Sequence, residues 1–257
     1  VNESFYQRHQ AAILGTASIL TVLIAWEAAW QAKVLSPLFF SGPSAIAQQA
    51  VYAWTKGNLK SDLLYSGGNF LLGFVLAVIA GVVLGIAIGW YKTLRLLLDP
   101  ILNALYATPR VAMAPLILLW FGLDYKSKVI TIFLFAFFPV LVNTAGGMRA
   151  IDRDLLRAAR AFCASDWQIF KTVAIPGAVP FILAGVRQGV AMGLIGVVVG
   201  EMIAGSKGIG FTVAYAAQNF ATEMLFVGVV IIAAAGILLT WLAERLERHF
   251  TRWRPER

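Results

Sequence analysis

Six apolar stretches, each about 20 residues long and separated by charged segments, constrain this chain more than any other feature. They fall at 11–32, 65–90, 99–122, 127–148, 178–204 and 224–243. A hydrocarbon layer about 30 Å thick is crossed by roughly 20 helical residues at about 1.5 Å of rise each. Lipid offers no hydrogen bonds to backbone N–H and C=O groups, so runs of this length are expected to satisfy them internally as helices. The expected fold is an all-α membrane protein with about six transmembrane helices. Composition agrees: 60% of residues are hydrophobic and 13% charged, against roughly 25% charged in soluble domains. The first stretch has a long apolar core and no clear small-residue cleavage site, so it reads as a span and not as a cleaved leader.

The formal charge of +8 then reads as orientation. With a cytoplasmic N-terminus, the inner segments hold thirteen cations: Arg8, Lys92, Arg95, Arg149, Arg153, Arg157, Arg160, Lys171, Arg245, Arg248, Arg252, Arg254 and Arg257. The outer segments hold six, namely Lys33, Lys56, Lys60, Lys126, Lys128 and Lys207, while Arg110 and Arg187 fall within or at the edge of spans. An excess of this kind on one side predicts a multi-pass plasma (inner) membrane protein with both termini in the cytoplasm. It also removes the reason to invoke nucleic acid.

Catalytic chemistry finds little to work with. The lone Cys163 allows no internal disulfide, and His9 and His249 stand at opposite ends of the chain. No metal cluster, no Ser/His/Asp triad and no cofactor site is expected. The phosphate-loop pattern G-x-x-x-x-G-K-[ST] is absent, and "AGSKGIG" (Ala204 to Gly210) has its lysine misplaced for a phosphate cradle. The chain reads as a non-enzyme, and any ATP would be bound by a separate subunit.

Between the fourth and fifth spans stands "DRDLLRAARAFCASDWQIFKTVAIPGAVP", Asp152 to Pro180. Its charges would cost about 2.5–3.5 kcal/mol each at the bilayer centre, so it is excluded from the lipid. Leu156, Ala159, Cys163, Trp167 and Phe170 recur at helical steps and predict an amphipathic stripe, with Arg157 and Arg160 on the other side. Ser165 followed by Gln168 fits a capping box, which predicts a break near Cys163 and Ala164 and a second short helix after Ser165. Pro176 and Pro180 either stop that helix or mark the return into the membrane. From pattern alone the helix pair serves equally as a headgroup anchor or as a docking element.

The run "LLRAARAFCASDWQIFKTVAIPGAVPFILAGVR" resembles the EAA loop of ABC-type importer permeases. Ala158 and Ala159 match its alanines, and Ile175 with Pro176 match its closing pair. Arg157 stands where that family usually has glutamate, and Cys163 where it has glycine. The resemblance implies that segment 149–177 is a coupling loop docking on a cytoplasmic ATPase subunit. Glycine at such a turn takes positive φ, a geometry in which cysteine is strained by about 1 kcal/mol; the turn is therefore expected to be reshaped. Arg157 is expected to demand an acidic or neutral rim on the ATPase.

Three further stretches are similar to the nitrate, sulfonate and bicarbonate branch of that family, which includes taurine and alkanesulfonate permeases. They run from Ser41 to Trp90, Leu98 to Val129 and Val197 to Phe220, and the likeness covers roughly 36–250. It implies a type I ABC importer transmembrane domain, a single permease domain over 1–257 with its core at 60–250. Implied partners are a second permease copy, two ATPase subunits, an external or periplasmic solute-binding protein and the lipid bilayer. Alternating access would carry a small, anionic solute; sulfonates, taurine, nitrate, bicarbonate, aromatic acids and a vitamin precursor all remain open.

For the solute path, intramembrane polar residues are the default candidates. Arg110, between Pro109 and Pro115 where a helix would break, is read either as an anion attractor or as structural glue paired with a carbonyl or an acid. Glu201 is either a gate residue or an interface-solvated carboxylate. Asn143 and Thr144 either line the path or are explained by helix back-bonding of Thr144. Gly81, Gly85 and Gly89, like Gly185, Gly189 and Gly193, form small-residue seams suited to close helix packing, within one subunit or across a dimer. The rival to the importer is a self-sufficient secondary transporter, which would show an inverted repeat not evident here.

Overall fold

The computed structural model describes residues 5–34 and 36–250. Arg252, Arg254 and Arg257 of the inner-side tally lie outside the described residues, as do the side chains of Arg8, His9 and His249. Among the described residues every regular element is helical. In chain order these are α1 (Phe5–Gln31), α2 (Pro43–Thr55), α3 (Leu59–Trp90), α4 (Lys92–Ala107), α5 (Arg110–Phe121) and α6 (Tyr125–Arg149). There follow α7 (Arg153–Ala161), α8 (Asp166–Ile169), a π-helical turn (Phe170–Ala174), α9 (Ile175–Ala204), α10 (Ile209–Gln218) and α11 (Thr222–Phe250). Five helices are long and apolar enough to cross a membrane, and α4 with α5 forms a sixth, broken one.

The chain divides into two compact units, one holding residues up to Lys60 together with Thr212–Val230, the other Ser61–Phe211 together with residues from Ile231 on. In the first, Glu27 near the end of α1 accepts the Ser44 N–H at 3.0 Å and the Ser44 hydroxyl at 2.7 Å. A carboxylate is thereby placed at the N-terminus of α2, where the helix dipole favours it. Thr222 donates to the Leu38 carbonyl at 2.8 Å, and Trp26 meets Phe226 with ring centroids 5.6 Å apart.

The second unit is built on α3, α6 and α9. Small residues set its geometry, because a side chain at these positions would collide with the neighbouring helix. A Cβ at Gly81 would sit 2.9 Å from Val140, and one at Gly85 2.7 Å from Thr144 Cβ. On α9, a Cβ at Gly185 would lie 2.9 Å from Asn143 and one at Gly189 3.0 Å from Val140. Both seams thus pack within one chain, with Val140 and Thr144 fully buried between them. Replacing Gly85 by leucine is expected to push α3 off α6 and lower stability by about 1–3 kcal/mol. Thermal unfolding of the purified protein measures it, and an unchanged midpoint would remove the seam from the packing account.

The pairings also settle topology. Gly73, Gly81 and Gly85 meet Ile132, Val140 and Thr144 in ascending order, so α3 and α6 run parallel. Gly185, Gly189 and Gly196 meet Asn143, Val140 and Ile132 in descending order, so α9 runs antiparallel to both. Parallel α3 and α6 require the chain between them to return from one end of the bundle to the other. The α4–α5 pair must therefore cross, and a re-entrant excursion is excluded. It crosses bent by 96°, so the third apolar window, expected as one span, is two helices. Pro109 is the cause: the residue before a proline is pushed out of the helical region, and Thr108 sits at φ −70°, ψ 129°.

Pro176 and Pro180 do not stop a helix. Pro176 falls in the first turn of α9, Pro180 lies within it, and the π-helical turn directly ahead carries α8 into α9 without a break. The wider turn is a known way to accommodate a disrupted i→i−4 ladder.

Candidate functional site

The charged loop forms the expected helix–turn–helix. Asp152 caps α7 by accepting the Asp154 N–H at 2.7 Å. Ser165 and Gln168 make the predicted capping box, with the Ser165 N–H donating to Gln168 at 2.8 Å. None of the nine residues of α7 is buried. A helix so poorly buried and so strongly amphipathic is not covered by any element among the described residues. Leu155 is exposed and Phe162 is 88% exposed.

The turn at Cys163 departs from expectation. It is not reshaped: Cys163 takes φ 57°, the left-handed geometry glycine would supply. The Cys163 N–H donates to Arg160 at 2.9 Å and the Ala164 N–H to Ala159 at 3.1 Å, which is a Schellman closure of α7. Lys33 and Phe220 close α1 and α10 by the same device. Relieving the strain with Cys163→Gly is expected to stabilise the turn by about 1 kcal/mol. Slower amide exchange at Ala164 reads this directly, and no change or faster exchange would mean the turn is unstrained.

The left-handed residue also breaks the phase of the predicted stripe. Leu156, Ala159 and Phe170 are half-buried, but Cys163 and Trp167 are exposed. Arg157 pairs with Asp154 at 2.5 Å, both ends being solvent-exposed, so its charge is partly answered from within α7. Phe170 anchors the loop: Trp90, at the end of α3, meets it edge-on at 5.0 Å, and Trp167 stacks on it at 5.5 Å. Ala174 and Ala178 are fully buried and cluster with Met148, and Ile175 packs beside them. The second half of the loop is rigidly continuous with the bundle, while α7 projects from it.

At the other end of α3, α6 and α9 lies Glu201, which is fully buried and not interface-solvated. Its Oε2 accepts the Gly210 N–H at 2.9 Å and the Ser66 hydroxyl at 2.8 Å. Ser66 in turn accepts the Ile209 N–H at 2.9 Å, and Asp62 accepts the Gly208 N–H at 3.1 Å. Gly208 has φ 107°, and a Cβ there would lie 2.4 Å from the Glu201 carboxyl. The "GSKGIG" turn therefore cradles a carboxyl group of its own chain, not a phosphate. Lys128, counted from sequence as an outer-loop cation, is 1% exposed and donates to Tyr65 at 3.1 Å and to the Leu123 carbonyl at 3.3 Å. Ser66, Tyr65 and Lys128 were not among the expected site residues. The signal available was the polar run "YSGGN" at the head of an apolar window.

The path candidates are not gathered into one site. Arg110 is half-buried and lies over the rings of Tyr106 at 5.1 Å and Phe138 at 5.3 Å, in place of the carbonyl or acid expected for structural glue. Beside these rings is a cavity of about 270 Å³ whose lining includes Asp99, Asn103 and Arg149. Asn143 donates to the Pro139 carbonyl at 2.8 Å and to Gln188 at 2.9 Å. Thr144 does not back-bond: its hydroxyl is buried without a partner, and the residue serves as packing against Gly85. Arg187 reaches Glu247 at 3.3 Å and Glu244 at 3.9 Å, so this span-edge cation is held by α11. Among the described residues no group of metal-ligating side chains occurs.

Parallel and antiparallel spans, a broken crossing and a projecting charged helix pair define a multi-pass helical membrane protein. The chain belongs to the family of binding-protein-dependent transport system inner membrane components, whose model matches residues 73–252. It is 32% identical over 248 residues to the taurine transport system permease protein of Escherichia coli K12, covering 95% of this chain and 90% of the relative. It is 35% identical over 248 residues to the riboflavin transport system permease protein of Chloroflexus aurantiacus, covering 96% and 92%. Its fold matches a chain of the inward-facing MetNI methionine ABC transporter with a TM-score of 0.63 at 16% identity, over 75% of this chain and 96% of that one. The chain is thus the permease subunit of an ATP-binding-cassette importer, with a type I transmembrane fold. Family membership sets the secondary-transporter reading aside.

Proposed function

We propose that segment 149–177 is the lever through which a separate ATPase subunit drives this permease, with Arg157, Ala158, Ala159 and Cys163 on the docking side and Ile175 and Pro176 at the hinge into the bundle. The observation that carries the reading is the contrast between α7, with no buried residue, and the α8–α9 stretch, which packs on α3 and α6 through Phe170 and Ala174. Force applied to an unpartnered helix reaches the core only through such a rigid continuation. ATP hydrolysis is then the work of the other subunit.

The working assembly is two permease copies, two ATPase subunits and an external binding protein, with both permease termini in the cytoplasm, the orientation that the cation asymmetry supports. The solute is a small anion of the sulfonate class, in keeping with the taurine-system relative and with Arg110 at the broken crossing. Asn143 and Glu201 act along the path as polar anchors, and Thr144 acts by packing. ATP turnover by the assembled transporter with wild-type chain and with Ala159→Asp tests the lever. If the ATPase fails to associate with the wild type, the reading fails.

A further inference from the structure

Beside α8 the loop carries a feature that helix docking alone does not use. Trp90, Tyr91, Trp167 and Phe170 line an open cavity of about 330 Å³, together with the acidic residue Asp166. Phe170 sits between two indoles, edge-on to Trp90 and stacked on Trp167. Trp167 is 67% exposed and Tyr91 61% exposed, so two large aromatic faces are left uncovered by the chain itself. Asp152 is committed to the α7 cap and Asp154 to Arg157. Asp166 alone of the three loop acids has no such bond or ion pair among the described residues.

Aromatic faces attract cations through their quadrupole, and a carboxylate at the rim adds a point charge of the matching sign. An apolar occupant would leave the carboxylate desolvated without a partner, and an anion would be repelled by it. We propose that this aromatic box receives a cationic side chain, an arginine or lysine, from the ATPase subunit. It fixes the rotational register of the docked loop. The proposal rests on the loop being the docking segment. The basic character of the rest of the loop, with Arg153, Arg157, Arg160 and Lys171, makes this box the place where a cation from a partner meets attraction and not repulsion. Because Phe170 is both a wall of the box and the anchor onto α3, a cation seated there pulls directly on the bundle.

The test uses the full-length permease in lipid nanodiscs and the purified ATPase subunit of its transporter, with the dissociation constant measured for wild type, Asp166→Asn, Trp167→Leu and Trp167→Phe. Asp166→Asn and Trp167→Leu are expected to weaken binding about tenfold, while Trp167→Phe, which keeps a ring, stays within about threefold of wild type. Leucine and phenylalanine bury similar apolar area, so a merely hydrophobic contact would not separate them. A charge swap completes the test: Asp166→Lys should lose binding and regain it with the ATPase whose cross-linked cation is changed to glutamate. That cation is located by a photo-reactive residue at position 167. Wild-type binding with unaltered affinity in Asp166→Asn and Trp167→Leu would overturn the box while leaving loop docking standing. A saturable change in tryptophan fluorescence on adding tetramethylammonium, present in wild type and absent in Trp167→Leu, with no effect of Asp166→Asn on ATPase affinity, would assign the box to a small cation and overturn the proposal as well.

Discussion

Glu201→Ala is expected to destabilise the protein by about 3–5 kcal/mol, the largest loss from any single side chain outside the loop. The carboxyl group is fully buried and accepts from the Gly210 N–H and from Ser66. Alanine leaves both donors without a protein acceptor and opens a void against which Gly208 and Gly210 now pack. It also removes an acid on which the buried Lys128 acts electrostatically. Glu201→Gln keeps the volume and an acceptor oxygen, so its cost should be about 1–2 kcal/mol. Unfolding of purified protein in detergent ranks the two. A double-mutant cycle with Lys128→Met should return less than additive losses. Equal midpoints for wild type and Glu201→Ala would show that the turn is held by α3 alone.

Ala159→Asp is expected to lower solute-stimulated ATP turnover of the assembled transporter by about a hundredfold while leaving the permease folded. No residue of α7 is buried, so the core is indifferent to a substitution there. A carboxylate near the helix C-terminus disfavours the helix itself by only about 0.3–1 kcal/mol. At a close-packed contact with a second protein, however, an unpaired buried charge costs several kcal/mol, and about 2.7 kcal/mol already corresponds to the hundredfold loss. ATP turnover equal to wild type, with the ATPase bound, would remove α7 from the coupling route. Loss of the folded permease would instead place Ala159 in the structural core, contrary to its half-exposed position.

Much of the architecture was legible because its signals are local. Window length and polarity located all six crossings, including the broken one, where Pro109 was the cue. The Ser165–Gln168 capping box spans four residues and formed as expected. Cys163 was legible as a helix end but not as a left-handed residue, since its backbone strain is set by the closure between Arg160, Ala159 and the residues after them. The stripe through Trp167 failed for the same reason: a helical period extrapolated across a turn loses its phase.

The candidate site was less legible, because its partners are far apart in the chain. Glu201 meets Ser66 across 135 positions, Lys128 meets Tyr65 across 63, and Gly208 meets Asp62 across 146. No periodicity or spacing encodes such pairs. For Arg110 a carbonyl or an acid was the expected partner, and the tertiary structure supplies the rings of Tyr106 and Phe138 instead.

By itself, the sequence determined that this chain lies in a membrane as an all-helical protein and that a charged helix–turn–helix separates its fourth and fifth apolar stretches. These follow from transfer free energies and near-neighbour hydrogen bonds, which each segment carries with it. The tertiary structure alone decided that α3 and α6 run parallel and so force the bent pair to cross, that Glu201 and Lys128 are buried, and that Trp90 joins Trp167 and Phe170 around Asp166. Those outcomes depend on which helix faces meet, and in lipid that choice is made by close packing of small residues, with no hydrophobic force to announce it in the sequence.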